Sequence, residues 1–198
     1  MTETKVTPAP DDLAKSVAEA AKAGKKGPPP VHLWNPPFCG DLDIRIARNG
    51  QWFYLGSPIG REPLVRLFAS VLKKEGDRHF LVTPVEKIGI VVEDAPFVAV
   101  DFEVEGKGKG QVLTFRTNVG DETVAGPENP IRVERDAETG EPSPYVHVRR
   151  GLEALIDRKS YYRLVEAGEV EEAAGRRMFG LRSSGAFFPF CPAEEVGL

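Results

Sequence analysis

Histidine and cysteine are scarce: the 198 residues include three histidines and two cysteines. Cys39 and Cys191 are too few and too far apart in sequence for a disulfide framework, and reduced thiols are the expected state. His32, His79 and His147 show no ligand spacing relative to one another or to nearby acids, so no metal centre is expected. No apolar run approaches the roughly 18 residues of a spanning helix. The N-terminus also lacks a basic-then-apolar leader, and the chain is expected in the cytoplasm with no membrane span. An excess of positive charge is absent as well. Lysine and arginine total 26 against 30 aspartates and glutamates, a net charge of −4, which argues against a broad basic footprint for nucleic-acid backbones. There is no nucleophile elbow, dinucleotide fingerprint, zinc ribbon or kinase motif, so no cofactor is implied.

What is present suits one or two compact soluble domains: 41% hydrophobic and 28% charged residues. The 20 glycines and 17 prolines imply many turns and more strand than helix. Residues 1–10 are expected to be disordered. A short helix is expected over 11–23, with a thin apolar stripe of Leu13, Val17 and Ala20 or Ala21. A linker stiffened by polyproline geometry follows over 24–30, and the folded body starts near Val31. Leu42, Ile44 and Ile46 alternate with Asp43, Arg45 and Ala47 as in a half-buried strand. Asn49-Gly50 is a two-residue hairpin signal, with the return strand over 51–55 and a helix over 61–74 that tolerates Pro63 in its first turn. Strands are then expected over 80–83, 87–92, 97–105 and 111–117, with one or two more before Arg135. A helix opens at Arg158, a further short helix covers 169–177, and the apolar tail from Met178 to Phe190 must pack.

The second hairpin and helix echo the first. Ile44-Arg-Ile-Ala-Arg-Asn-Gly50 reappears as Val146-His-Val-Arg-Arg-Gly151, and Arg61-Glu-Pro-Leu-Val-Arg-Leu-Phe68 aligns without a gap to Arg158-Lys-Ser-Tyr-Tyr-Arg-Leu-Val165. The expected fold class is α+β: two tandem units of antiparallel strands plus a helix. Residues 1–30 form an extension, 31–95 a first domain and 96–198 a second, and like units pack with a natural ligand groove between them.

Arg61 and Arg158 each open a helix, where a cation is mildly unfavourable unless a carboxylate or a bound anion offsets the macrodipole. Asp41 and Asp43 stand two apart on a strand and point to one face, the arrangement of an acid/base pair or part of a metal site. Cys39 beside them is a possible thiol nucleophile without a neighbouring histidine. Thr83-Pro-Val-Glu86-Lys87 is turn chemistry that also borders a groove. Gly106-Lys-Gly-Lys-Gly110 runs from strand to strand and is a hairpin tip, not a phosphate cradle. Arg45, Arg48, Arg149 and Arg150, with Trp52 and Tyr54 nearby, make the hairpins basic. Bulk charge nevertheless leaves nucleic acid an unfavoured partner.

The run Cys39-Gly-Asp-Leu-Asp-Ile-Arg-Ile46, then Gly50-Gln-Trp-Phe-Tyr-Leu-Gly-Ser-Pro-Ile59 and Arg61 to Phe68, continues into Leu81-Val-Thr-Pro-Val-Glu-Lys87 and Val92-Glu-Asp-Ala-Pro-Phe97. Together these resemble an uncharacterised bacterial family, domain of unknown function number twelve eighty-five, over residues 32–190. The resemblance implies a two-domain α+β protein with repeated motifs and a C-terminal half loosely similar to pleckstrin-homology-like barrels. It also implies a part in signal transduction or regulation, with no established activity and no catalytic residues. The matching positions Asp41, Asp43, Trp52, Arg61, Thr83, Glu86 and Lys87 are its candidate site.

The expected function is therefore non-enzymatic: a cytoplasmic regulatory protein that takes a small anionic ligand or an acidic protein partner in the groove between the repeats. Arg61 and Arg158 would be its donors and Trp52 its apolar wall. A hydrolase or transferase using Asp41, Asp43 and Cys39 is one alternative, and a structural subunit of a larger assembly is the other; a second copy of the chain, in a homo-oligomer, is among the partners considered.

Overall fold

The structure is a computed structural model that describes residues 10–22 and 28–198. Its packing divides the chain into one unit that ends at Asp94 and another that begins at Ala95. The disorder expected over 1–10 and most of the linker expected over 24–30 fall outside the described residues.

The first unit opens with helix α1 (Pro10–Ala21), which lies against the second helix and buries Val17 and Ala20. A single 3-10 turn at Val31–Leu33 leads into the sheet. Its strands are β1 (Phe38–Ile46), β2 (Trp52–Tyr54) and β3 (Ser57–Pro58), then β4 (Leu72–Glu75), β5 (Arg78–Val82) and β6 (Lys87–Val92), with helix α2 (Glu62–Ser70) between β3 and β4. The order across the sheet is β3-β2-β1-β6-β5-β4, and β1 runs parallel to β6. Alternation along each strand sends Leu42, Ile44, Ile46, Trp52, Leu72, Leu81, Ile88 and Ile90 to one buried face. There the Trp52 ring stacks on Phe68 of α2, with centroids 6.2 Å apart.

Two local expectations change. The helix expected over 61–74 ends at Ser70, because Val71 and Leu72 satisfy a strand as well as a helical stripe. The turn after Glu75, where Gly76 has φ +58°, folds β4 onto β5, and the Val82 N–H donates to the Val71 carbonyl at 3.0 Å. The β1–β2 loop is longer than the two-residue turn expected at Asn49-Gly50. Ala47 and Gln51 close it, and only Gly50 takes positive φ. The two-residue geometry, with both central residues at positive φ, occurs at Arg150-Gly151 instead.

The second unit carries β7 (Phe97–Glu105), β8 (Val112–Thr117), β9 (Glu122–Val124), β10 (Ile131–Arg135), β11 (Pro142–Arg149) and β12 (Leu152–Ile156). Helix α3 (Arg158–Glu166) follows, then β13 (Glu169–Ala173), β14 (Arg176–Ser183) and β15 (Ala186–Pro192). Its large sheet reads β10-β11-β12-β7-β8-β9, with β12 parallel to β7. Both six-stranded sheets thus share one order, the first strand of each lying beside its sixth. The molecule is an α+β protein with a two-unit repeat. The echoed segments occupy different places in that repeat: β1–β2–α2 begins one sheet, while β11–β12–α3 ends the other. A basic hairpin followed by a helix is a local pattern, whereas the shared order depends on parallel pairings between strands far apart in sequence.

β13, β14 and β15 form a third sheet. The short helix expected over 169–177 is strand β13 and its hairpin turn. Glu169 and Glu171, two apart and so on one face, both reach Arg182, a period of two and not of a helix. Ala174 and Gly175 take the positive φ values of the turn. The apolar tail is packed, with Phe179, Leu181, Phe188 and Phe190 buried. A Cβ at Gly180 would lie 2.2 Å from the Phe188 carbonyl oxygen, a backbone atom that cannot step aside. Gly180→Ala is therefore expected to destabilise the second unit by about 2–3 kcal/mol in urea unfolding followed by far-UV circular dichroism. Among the described residues no helix is long and apolar enough to cross a membrane.

Candidate functional site

The second face of the first unit's sheet carries charge over aromatic rings. β5 alternates so that Arg78 and Phe80 share this face, while His79 and Leu81 point to the core side. β4 sets Glu75 opposite Arg78 and Lys73 opposite Phe80, β6 sets Gly89 opposite Phe80, and β1 sets Asp41 opposite Gly89 and Phe38 opposite Lys87. Eight positions on four strands therefore converge through five cross-strand pairings.

Phe38 and Phe80 meet edge to face at 6.1 Å. The Arg78 guanidinium carbon sits 5.3 Å from the Phe38 centroid and 5.1 Å from that of Phe80, and Lys87 Nζ is also 5.1 Å from Phe80. Ring quadrupoles attract cations at such distances and favour a guanidinium placed over the two rings. Arg78 Nη2 donates to Asp41 Oδ1, and both side chains stay open to solvent, 57% and 67% exposed. Glu75 accepts from Lys87 at 2.9 Å and pairs with Lys73 at 3.0 Å. The hydrogen bond from Lys87, followed by that from Lys73, holds the Glu75 carboxyl below the usual carboxylate range. Lys73 also donates to the Trp34 carbonyl at 3.1 Å. Lys73, Arg78 and Lys87 thus face the carboxylates of Glu75 and Asp41, with Asp43 exposed two residues along the same face of β1.

Gly89 makes room for this arrangement. A Cβ there would stand 2.0 Å from Asp41 Oδ1 and 2.9 Å from Arg78 Nη2. An interior strand glycine weakens a sheet, and here it lets a carboxylate approach the backbone closely.

The sequence-derived candidates fall in several places. Asp41 and Lys87 lie on this patch, and Asp43 is exposed two residues further along β1. Thr83 and Glu86 form the turn that leads into Lys87. The Thr83 hydroxyl accepts from the Glu86 amide at 3.2 Å, and Glu86 accepts from the α1 residue Ser16 at 2.7 Å. Trp52 belongs to the opposite, buried face, 1% exposed, and offers no wall to a ligand. Arg61 is the residue before α2 in the first unit. Arg158 begins α3 in the second unit, is paired with Glu141, and follows Asp157, whose side chain caps the helix by accepting from the Ser160 amide at 2.7 Å.

Arg78, Phe38, Phe80 and Glu75 were not among the sequence candidates. The alternation Arg78-His79-Phe80 is visible in the sequence, but its meeting with Asp41 depends on β5–β6–β1 pairing.

Other groups are occupied structurally. His147 uses both ring nitrogens: Nε2 accepts from the Gly151 amide at 3.0 Å, and Nδ1 lies 2.8 Å from Asn129 Oδ1. Cys39 is exposed, whereas Cys191 is buried and burial pushes its thiol up. The basic hairpins are matched by acids: Arg45 with Glu93, Arg48 with Asp94 and Arg149 with Asp121. Arg132 of β10 grips Glu153 through two donors and lies over the Tyr145 ring at 4.3 Å. Among the described residues no three or more histidine, cysteine or acidic side chains cluster as a metal site would require.

Fold and patch together define a duplicated α+β protein with a ring-backed cationic face on its first sheet. Residues 29–95 match the N-terminal domain model, and residues 96–190 the C-terminal domain model, of the family described as a domain or protein of unknown function (DUF1285). The chain belongs to the DUF1285 family. It is similar to the crystal structure of a DUF1285 family protein from Silicibacter pomeroyi DSS-3, with 63% identity and a TM-score of 0.83 over 92% of this chain and 98% of that one. A DUF1285 family protein from Shewanella baltica OS155 shares 32% identity with a TM-score of 0.49 over 63% of this chain and 91% of that one. No protein of curated function matches.

Proposed function

We propose that this protein is a non-enzymatic regulatory or signalling protein of the cytoplasm that binds an anionic ligand or an acidic segment of a partner protein. The binding surface is the Arg78–Lys87 face of the first unit. One observation carries the reading: Arg78 lies over two rings yet keeps solvent-open hydrogen-bond donors, since among the described residues its hydrogen bond to Asp41 uses Nη2 alone. A pre-oriented guanidinium loses little side-chain freedom when it takes a planar anion through two donors. Lys87 adds a second cation beside the same ring.

The second unit is read as pleckstrin-homology-like, a reading supported by a curled, largely antiparallel sheet with a helix after its last strand. In isothermal titration at low salt with a tetraglutamate peptide, Arg78→Ala is expected to weaken binding at least tenfold and Lys87→Ala several-fold, with affinity falling as salt rises. Binding that survives Arg78→Ala unchanged would overturn the reading.

A further inference from the structure

We infer that Asp41 is a resident stand-in for the ligand and that the group recognised at Arg78 is a carboxylate. This inference rests on the Arg78–Lys87 reading above and specifies its chemistry. Three observations converge on it. Asp41 already presents a carboxylate to the ring-backed guanidinium, which demonstrates in this molecule the chemistry that the patch accepts. Gly89 clears the space against which that carboxylate lies, because a side chain there would overlap Asp41 Oδ1. Among the described residues the pair is joined by one donor–acceptor contact, between side chains that are both more than half exposed.

Exposed ion pairs contribute little net stability, so an incoming carboxylate displaces Asp41 at small cost and inherits an arginine already in position. With Asp41 turned to solvent, the Arg78 guanidinium is left to the incoming carboxylate, while Lys73 and Lys87 stay paired with Glu75. The resident carboxylate thus sets a threshold: a ligand binds when it outcompetes a tethered aspartate. The same carboxylate chemistry is offered by a free dicarboxylate and by an acidic peptide segment.

Titration of the full chain with glutarate and, in parallel, with tetraglutamate tests this, using the wild type, Asp41→Asn, Arg78→Lys and Gly89→Ala. Asp41→Asn keeps the shape and removes the competitor, and about a fivefold gain in affinity is expected, the scale of one exposed ion pair. Arg78→Lys keeps the charge but loses the planar fork, and is expected to lose most of the binding. Gly89→Ala intrudes only on the flexible ends of Asp41 and Arg78, so the sheet folds while carboxylate binding is lost. Tetraglutamate binding at least tenfold tighter than glutarate assigns the source to a protein segment, and equal affinity assigns it to a free metabolite.

Arg78-dependent binding that Asp41→Asn leaves unchanged or weakens overturns the stand-in and leaves the patch reading intact. Inorganic phosphate binding more tightly than glutarate overturns the carboxylate class. Absence of Arg78-dependent binding in every variant overturns the patch reading itself.

Discussion

Trp52→Ala is expected to cost the first unit about 4 kcal/mol, the upper range for truncating a large buried aromatic. Trp52 is 1% exposed and its ring stacks on Phe68, itself 1% exposed, so truncation leaves a cavity between sheet and helix that backbone shifts fill only partly. The indole also carries a liability, because Nε1 is buried without a hydrogen-bond partner among the described residues. Removing an unsatisfied donor recovers part of what a smaller ring loses, and Trp52→Phe is expected to cost only about 1 kcal/mol. Urea unfolding followed by circular dichroism measures both variants. In the variants Trp34 is the remaining tryptophan and reports on the same unit by fluorescence. Equal losses in the two variants would contradict the assignment of Trp52 as core stacking partner.

Acid should weaken the first unit through His79. This residue lies on the core side of β5, 8% exposed, with Nε2 unpartnered among the described residues. Burial, followed by the nearby Lys74 charge, pushes its pKa from an ordinary 6.5 down to about 4. The unfolded chain therefore binds a proton between those values that the folded chain refuses, and stability falls as pH drops from 6.5 toward 4, levelling below it. At about 1.4 kcal/mol per pKa unit, the full loss is about 3 kcal/mol. Carboxylates also titrate near the bottom of this window, so the difference between wild type and His79→Leu isolates the histidine. The His79→Leu profile should be flatter between pH 6.5 and 4 by that amount. Parallel profiles would place the imidazole in contact with water.

Strand periodicity was readable where each strand is half buried or apolar throughout. Lys87–Val92 and Phe97–Glu105 are strands at the boundaries that alternation and composition indicate. Where one segment fits two periods, nonlocal pairing decides. Val71-Leu72 reads equally as the end of a helix or the start of a strand, and β5 selects the strand. The acidic stretch after Gly168 has helix-forming composition, yet pairing with β14 makes it a strand, with Glu169 and Glu171 on Arg182. The same limit governs the patch. Asp41 and Lys87 stand out in the sequence as polar residues at strand positions, but nothing local joins them to Arg78 and Phe80. That junction requires β1 to run parallel to β6, a pairing across some forty residues that leaves no periodic trace. The echo of hairpin and helix pairs segments that are not equivalent in the two-unit repeat, whose strand correspondence is topological.

The regulatory reading turns on one surface, so the most direct test is residue-resolved. Titration of the 15N-labelled full chain with tetraglutamate, followed by amide chemical-shift changes, maps where an acidic ligand lands. Changes are expected to centre on Phe38, Arg78, Phe80, Lys87 and the Gly89 amide, and to be absent from Arg78→Ala. Changes centred on Arg61 or Arg158 with the Gly89 amide unmoved, or none at all at millimolar peptide, would contradict it.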